Sequence, residues 1–341
     1  HPAFAGSVAG MAGYFDWQNQ HADECLVPDP QTGKPMSASL IVPRNAEDLR
    51  LRRVAFERFA RYSEGMLGRT PDYVNVTLAG FVARSDIFGS SGDTTFAERL
   101  GRFYREVVEK DLSLTHTIIH PVVDKTLPDT VGINGQVALR VVRRKKDSIV
   151  VSGAKILATL GPFADELFVY PGLPQPPGTD PGVLLAFSIP MNSKGLITLC
   201  RDHYGVAAPV GDQPFSSRFD EQDAYMIFDE VEIPLERVFI DGDVDIYNNL
   251  MRHGWAANIM QQTSIRAAVK LEFAYEICTR MARATNSEGR PDVAAMLGEI
   301  WAYSALTRAA ITAAEAGAHD WGNGAFFCDD RPFRATRAMM P

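Results

Sequence analysis

The chain has 341 residues, is 46% hydrophobic and 22% charged, and carries a net charge of −8. That length predicts two or three domains, the acidic balance excludes nucleic acid as a partner, and no apolar run is long enough to span a membrane. The start lacks a basic stretch followed by an apolar one, so no signal peptide is expected.

Residues 1–40 carry few strong signals, and Ala3 to Trp17 fits a helix or a packed loop. Asn45 is a good N-cap, with Glu47 and Asp48 placing acid in the first turn. From Ala46 to Met66 apolar residues recur at helical spacing, including Leu49, Val54, Phe56, Phe59, Ala60 and Tyr62. The helix ends at Gly65–Gly68, and the stretch Leu67-Gly68-Arg69-Thr70-Pro71-Asp72-Tyr73-Val74-Asn75 follows. Pro71 fixes its own φ and pushes Thr70 out of helical geometry, which sets Arg69 on a rigid turn. Arg69 is a permanent cation with a five-donor fork, and Tyr73 carries a phenol that can donate or accept. Val74 to Ile87 is expected to be helical. Thr95 to Leu112 is a second clear helix, with Thr94 or Thr95 as its cap.

The pattern then turns to short β-branched runs: 117–119, 137–142, 148–151, 156–159, 166–170, 183–189, 196–200 and 225–233. Strands at such spacing predict a small sandwich or barrel. Leu114-Thr115-His116-Thr117 opens this region, and His116 has the side chain whose unperturbed pKa lies near neutrality. Arg143-Arg144-Lys145-Lys146, followed by Asp147, reads as a solvated hairpin tip and not as a binding patch. Two long loops, 171–182 and 202–222, are candidate lids or pocket walls. After Asp241 the helical period returns, over Trp255 to Arg283 and Asp292 to Ala318, joined by a short turn as in an antiparallel bundle. The chain therefore divides into a helical domain (1–112), a β domain (113–240) and a helical bundle (241–341), an α+β fold. It begins at His1 and stops at Pro341 in a way that reads as incomplete at both ends. Cys25, Cys200, Cys278 and Cys328 lack the close spacing of a zinc or redox motif and read as reduced thiols of a cytoplasmic protein.

Arg69, Tyr73 and His116 facing one cavity would suit an anionic or phenolic substrate. Taken alone, the Arg69–Tyr73 run also fits a surface turn in which Asp72 caps the next helix, and His116 also fits a satisfied strand-end histidine. The order of domains, with Arg69-x-Pro71-Asp72-Tyr73, Leu114-Thr115-His116-Thr117, Gly153-Ala154-Lys155-x-x-Ala158-Thr159 and Cys200-Arg201-Asp202, resembles the 4-hydroxyphenylacetate 3-monooxygenase family along nearly the whole chain. The resemblance implies an acyl-CoA dehydrogenase-like fold and the oxygenase component of a two-component flavin system. Such a protein hydroxylates an aromatic substrate through a flavin C4a-hydroperoxide, using molecular oxygen and FADH2 from a separate NAD(P)H:flavin reductase. It also implies a homotetramer built through the bundle, whose helices carry apolar residues on more than one side.

Carried over by motif position, the catalytic residues are Arg69, Tyr73 and His116. The substrate contacts are Arg69, Thr70, Pro71, Asp72, Tyr73, His116, Pro171 and Gly172. The flavin contacts are His116, Thr117, Ile118, Val122, Val123, Asp124, Lys125 and Thr159. No metal ligand set is implied. The family often has Gln and Arg where this chain has Val122 and Lys125. Many relatives carry histidines in the helix after Trp255, where this chain has Asn258 and Gln261, with His253 a weak stand-in. Rival readings are an acyl-CoA dehydrogenase-type flavoenzyme, a 4-hydroxybutyryl-CoA dehydratase with an iron–sulfur cluster, and a scaffold of the same fold without chemistry.

Overall fold

A computed structural model describes residues 4–90, 92–127, 130, 137–205 and 211–338. In chain order the elements are α1 (Ala5–Gln20), α2 (Ala22–Cys25), β1 (Leu26–Pro28), β2 (Pro35–Ser37), α3 (Ala46–Arg61), α4 (Pro71–Ala83), α5 (Ser85–Phe88) and α6 (Thr95–Lys110). The central strands follow: β3 (Leu114–Thr117), β4 (Arg140–Arg144), β5 (Ser148–Thr159), β6 (Glu166–Val169), β7 (Leu185–Pro190) and β8 (Leu196–Cys200). Next come α7 (Ser216–Phe219), β9 (Asp223–Pro234), β10 (Val238–Asp241), α8 (Val244–Leu250), α9 (Ala256–Ala284) and α10 (Pro291–Ala316). The chain closes with β11 (His319–Asp320), β12 (Phe326–Phe327) and α11 (Asp330–Arg337). It folds as two compact units, a strand-rich one of residues 1–8 and 78–255 and a helical one of residues 9–77 and 256–341.

The strand-rich unit holds two open four-stranded sheets, ordered β10-β7-β6-β3 and β4-β5-β9-β8. Of the barrel and the sandwich, the sandwich is the form found. Leu167, Val169, Leu185, Phe187 and Ile189 of the first sheet share one core with Ile149, Val151, Met226, Phe228, Val231 and Ile233 of the second. Alternate residues of a strand point to opposite faces, and in β9 Ala224, Met226 and Phe228 are buried while Tyr225 is exposed. Between Phe228 and Val231 the register shifts against β5, with Glu230 at φ 49°. That bulge returns Val231 and Ile233 to the core face.

A second shift lies between Lys155 and Ala158, and Leu157 has φ 64°. One bent strand therefore replaces the two pieces expected at 148–151 and 156–159. The basic hairpin tip is solvated as expected and paired with acids, Arg144 with Asp241 and Lys145 with Glu232, each at 2.5 Å. Thr94 is the N-cap of α6, as expected, but its side chain does not bond a backbone N–H of the first turn. Asp93 Oδ1 accepts the Thr95 N–H at 2.9 Å, while Thr94 Oγ1 donates to Glu98. Phe103 of α6 stacks on Phe239 of β10 at 5.5 Å.

In the helical unit Asn45 caps α3 as expected, accepting from the Asp48 N–H. An ion network of Arg61, Arg308, Glu57 and Glu272 ties α3, α9 and α10. Arg52, fully buried, donates to Asn258 Oδ1 at 2.7 Å. Cys25 and Cys328 are buried thiols, each pushed up to about 12 by desolvation. The chain after α3 turns tightly against α9. Gly65 has φ 72°, and a Cβ there would lie 2.7 Å from the Arg266 carbonyl and 2.8 Å from Lys270 Cβ. Both the left-handed backbone and the close approach demand glycine. Gly65→Ala is expected to cost about 2–3 kcal/mol. Urea unfolding checks this, and an unchanged midpoint would refute it.

Candidate active site

One set of candidate residues sits in the helical unit, at the start of α4. Pro71 occupies the first helical position, where its missing N–H costs nothing. The Arg69 guanidinium lies over the Tyr73 ring, 4.4 Å from its centroid, so the cation is stacked and its fork is pre-oriented. Burial raises the Tyr73 phenol above its ordinary value, against the nearby charges of Arg69 and Arg266. The phenol is therefore a neutral donor or acceptor at neutral pH. Asp72 is buried, and Gln262 Nε2 of α9 donates to its Oδ2 at 2.9 Å. Burial pushes the Asp72 carboxyl up, while hydrogen bonds from Thr70 and Gln262 pull it down. Asp72 thus anchors the turn to α9 and does not simply cap a surface helix.

The other set sits in the strand-rich unit. β3 runs parallel to β6, with His116 opposite Phe168 and Thr117 opposite Val169. Thr115 Oγ1 donates to the Thr159 carbonyl at 2.7 Å, and Thr117 Oγ1 donates to the Ile156 carbonyl at 2.8 Å. These two threonines face β5, so His116 between them points the other way. Its ring stacks on Tyr170 with centroids 5.7 Å apart and planes 19° apart, and it is buried. The Thr159 hydroxyl donates to Asp223 Oδ1 at 2.7 Å.

Pro171 follows Tyr170 directly and is buried. Gly172 passes so close to β3's extension that a Cβ would meet the Ile118 carbonyl at 2.6 Å. His116, Thr117, Ile118, Thr159, Pro171 and Gly172 are therefore neighbours through β3, β5 and the end of β6. Val122 and Val123 are about half exposed, at 52% and 48%. Asp124 folds the segment on itself, accepting from the Thr126 N–H and hydroxyl. Residues 122–127, Lys125 among them, are exposed. Part of the 202–222 loop, residues 206–210, lies outside the described residues.

Asn258 and Gln261 are buried on α9. Asn258 holds Arg52 and donates to the Val76 carbonyl at 2.7 Å, and Gln261 donates to the Leu49 carbonyl and to Glu315. Their amides are used in packing. His253 is exposed, in an irregular turn before α9. Sequence reasoning missed Tyr170 and Gln262. An aromatic closing a strand before Pro171-Gly172 was a usable signal for the first, whereas the second depends on a contact remote in sequence.

The family described as 4-hydroxyphenylacetate 3-hydroxylase matches through its N-terminal part at residues 1–240 and its C-terminal part at residues 248–341. The chain is 37% identical over 276 residues to the 4-hydroxyphenylacetate 3-monooxygenase oxygenase component of Geobacillus sp. (strain PA-9), covering 80% of this chain and 56% of that protein. It is 32% identical over 343 residues to the protein so named in Thermus thermophilus, covering 100% of this chain and 70% of that one. The 4-nitrophenol 2-monooxygenase oxygenase component of Rhodococcus sp. is 33% identical over 334 residues, 95% of this chain and 62% of that protein. The solved oxygenase component of 4-hydroxyphenylacetate 3-monooxygenase, complexed with FAD and 4-hydroxyphenylacetate, superposes with a TM-score of 0.93 at 31% identity over 99% of this chain and 70% of that one. An archaeal 4-hydroxybutyryl-CoA dehydratase, at 16% identity and a TM-score of 0.87, shares the fold alone. The chain thus spans 56% to 70% of the length of these curated relatives. With both parts of the family matched and more than 30% identity along its whole length, this chain belongs to the 4-hydroxyphenylacetate 3-hydroxylase family.

Proposed function

We propose that the protein is the oxygenase of a two-component flavin monooxygenase, hydroxylating a phenolic or related aromatic substrate. The carrying observation is His116, buried in β3, turned by its threonine neighbours onto Tyr170 and away from β5. The flavin fits the strand-rich unit. The exposed 122–125 segment offers apolar surface and the Lys125 cation, and Thr159 stands at the end of β5. In this reading Val122, Val123, Asp124, Lys125, Thr117, Ile118 and Thr159 hold FADH2, which when bound with oxygen supplies the hydroxyl group.

The chain's own residues bind and activate the substrate. The carbon ortho to a phenol is most nucleophilic as the phenol loses its proton. A phenol has a pKa of about 10 and a histidine about 6.5, so ground-state transfer to His116 is uphill. His116 takes the proton as the new C–O bond forms. Arg69 stabilises the negative charge that develops, and Tyr73 orients the substrate oxygen. Asp72, Thr70 and Pro71 hold that pair in place, and Pro171 and Gly172 border the substrate.

The reductase, the cytoplasmic location and a homotetramer through α9 and α10 belong to the same proposal. Free cysteines agree with a reducing compartment. Met281, Met296, Trp301 and Leu306 stand exposed on those helices, whereas Ile259, Ile265, Val269 and Ile311 are buried.

The full-length protein, FAD, a separate NADH:flavin reductase and a panel of phenols, with products read by mass, tests the function. Absence of any hydroxylated product, or equal turnover without the reductase, would count against it. Arg69→Ala is expected to raise the substrate concentration for half-maximal rate about 10- to 100-fold, the loss of one hydrogen-bonded charge from the bound state. An unchanged half-saturation would remove Arg69 from the site.

A further inference from the structure

We infer that His120, Lys155 and Arg140 form a phosphate-binding site that takes the phosphate end of the flavin, an inference that rests on the flavin reading above. The backbone brings the three together. The Ile156 N–H donates to the Ile119 carbonyl at 2.9 Å in an antiparallel bridge, which sets His120 opposite Lys155. Lys155 is buried, and its Nζ donates to the Ile118 carbonyl at 3.0 Å. On the same edge of β5, away from β9, Arg140 pairs with Ser152.

His120 is 1% exposed, yet neither ring nitrogen has a hydrogen-bond partner among the described residues. The Arg140 Nε is likewise buried and unbonded, although Nη1 donates to Asp180 at 3.3 Å and Nη2 to the Thr130 carbonyl at 3.1 Å. A buried polar group left without a partner costs about 1–3 kcal/mol, and native interiors keep few of them. The charges of Lys155 and Arg140 act on the imidazole, which burial first and then these cations hold down at about 3. A neutral ring with one N–H is therefore presented beside two cations. The nearby acids already have partners: Asp180 is half exposed and bonded to Arg140, and Asp124 accepts from Thr126. Donors from an imidazole, an ammonium and a guanidinium edge suit the several oxygens of a phosphate. His120 directly precedes the 121–127 segment, whose Asp124–Leu127 turn holds Lys125.

Anaerobic titration of the full-length protein with reduced FAD, reduced FMN and reduced riboflavin, with inorganic pyrophosphate as competitor, tests this. Reduced FAD is expected to bind at least about tenfold tighter than reduced riboflavin, and pyrophosphate to displace it. His120→Leu and, separately, Arg140→Gln should each weaken reduced FAD about tenfold, one charge-assisted hydrogen bond, and leave reduced riboflavin within about twofold. Circular dichroism melting confirms folded variants. Equal binding of FAD and riboflavin by the wild type, or a variant that weakens both alike or neither, overturns the inference. Pyrophosphate binding that is lost in His120→Leu without displacing reduced FAD assigns the phosphate to another ligand and overturns the flavin assignment. If the wild type binds no reduced flavin, the function above fails on its own, and absence of pyrophosphate binding then removes the phosphate site as well.

Discussion

Replacing His116 with Ala is expected to lower hydroxylation by about 10²- to 10⁴-fold, the usual contribution of a positioned general base. Binding of reduced flavin should stay near the wild-type value, and oxygen should still be consumed. Without a base to take the phenolic proton the oxygen leaves as hydrogen peroxide, so the ratio of product to oxygen collapses. The geometry motivates this. The His116 ring stacks on Tyr170, while its threonine neighbours carry the bonds to β5. Strand pairing is therefore held by groups the substitution leaves in place. A strand-end histidine with only a structural role would behave otherwise, with stability and flavin binding falling together and the folded fraction coupling oxygen to product normally. Product and peroxide per oxygen, measured on protein shown to be folded, separate the two. Wild-type coupling in the variant would end the catalytic assignment.

Asn258→Leu is expected to cost about 3–5 kcal/mol of stability. Arg52 is fully buried, lies over the Phe56 ring at 5.2 Å, and donates to the Asn258 side chain and carbonyl. Burial lowers its pKa to about 10, against the attraction of Cys328, Asp48 and Glu315. Leucine at 258 would remove the acceptor at 2.7 Å and take the side-chain donor away from the Val76 carbonyl as well. The double replacement Arg52→Leu/Asn258→Leu removes the cation along with its acceptor and should recover most of the loss. Urea midpoints at constant slope measure all three proteins. A single-variant cost under about 1 kcal/mol would show that the guanidinium finds other acceptors.

Much of this could be read in the sequence because the signals were local. Asn45 before an amphipathic run, and a basic tip between two β-branched runs, each specify their element without help from the rest of the chain. Family motifs located His116 and the Arg69 turn. What escaped was non-local. β5 looked like two strands because Gly153, at φ 121°, and the bulge around Leu157 interrupt the alternation. β10 is four residues long and follows a turn directly, too short for a period to show. Asn258 looked like a missing base, whereas its partner Arg52 lies 206 residues away in the chain. His120 drew no attention, because a histidine before a proline becomes unusual only once both its nitrogens are seen buried.

The two buried thiols bear on how such a protein would age. A thiol must be ionised to attack peroxide. With Cys25 and Cys328 held near 12, about one molecule in 10⁵ carries the anion there at pH 7. Peroxide that escapes an unproductive cycle therefore meets sulfur that is chemically silent on the timescale of turnover. Oxidative wear would fall instead on the more accessible methionines, Met281 and Met296, at the surface of the long helices.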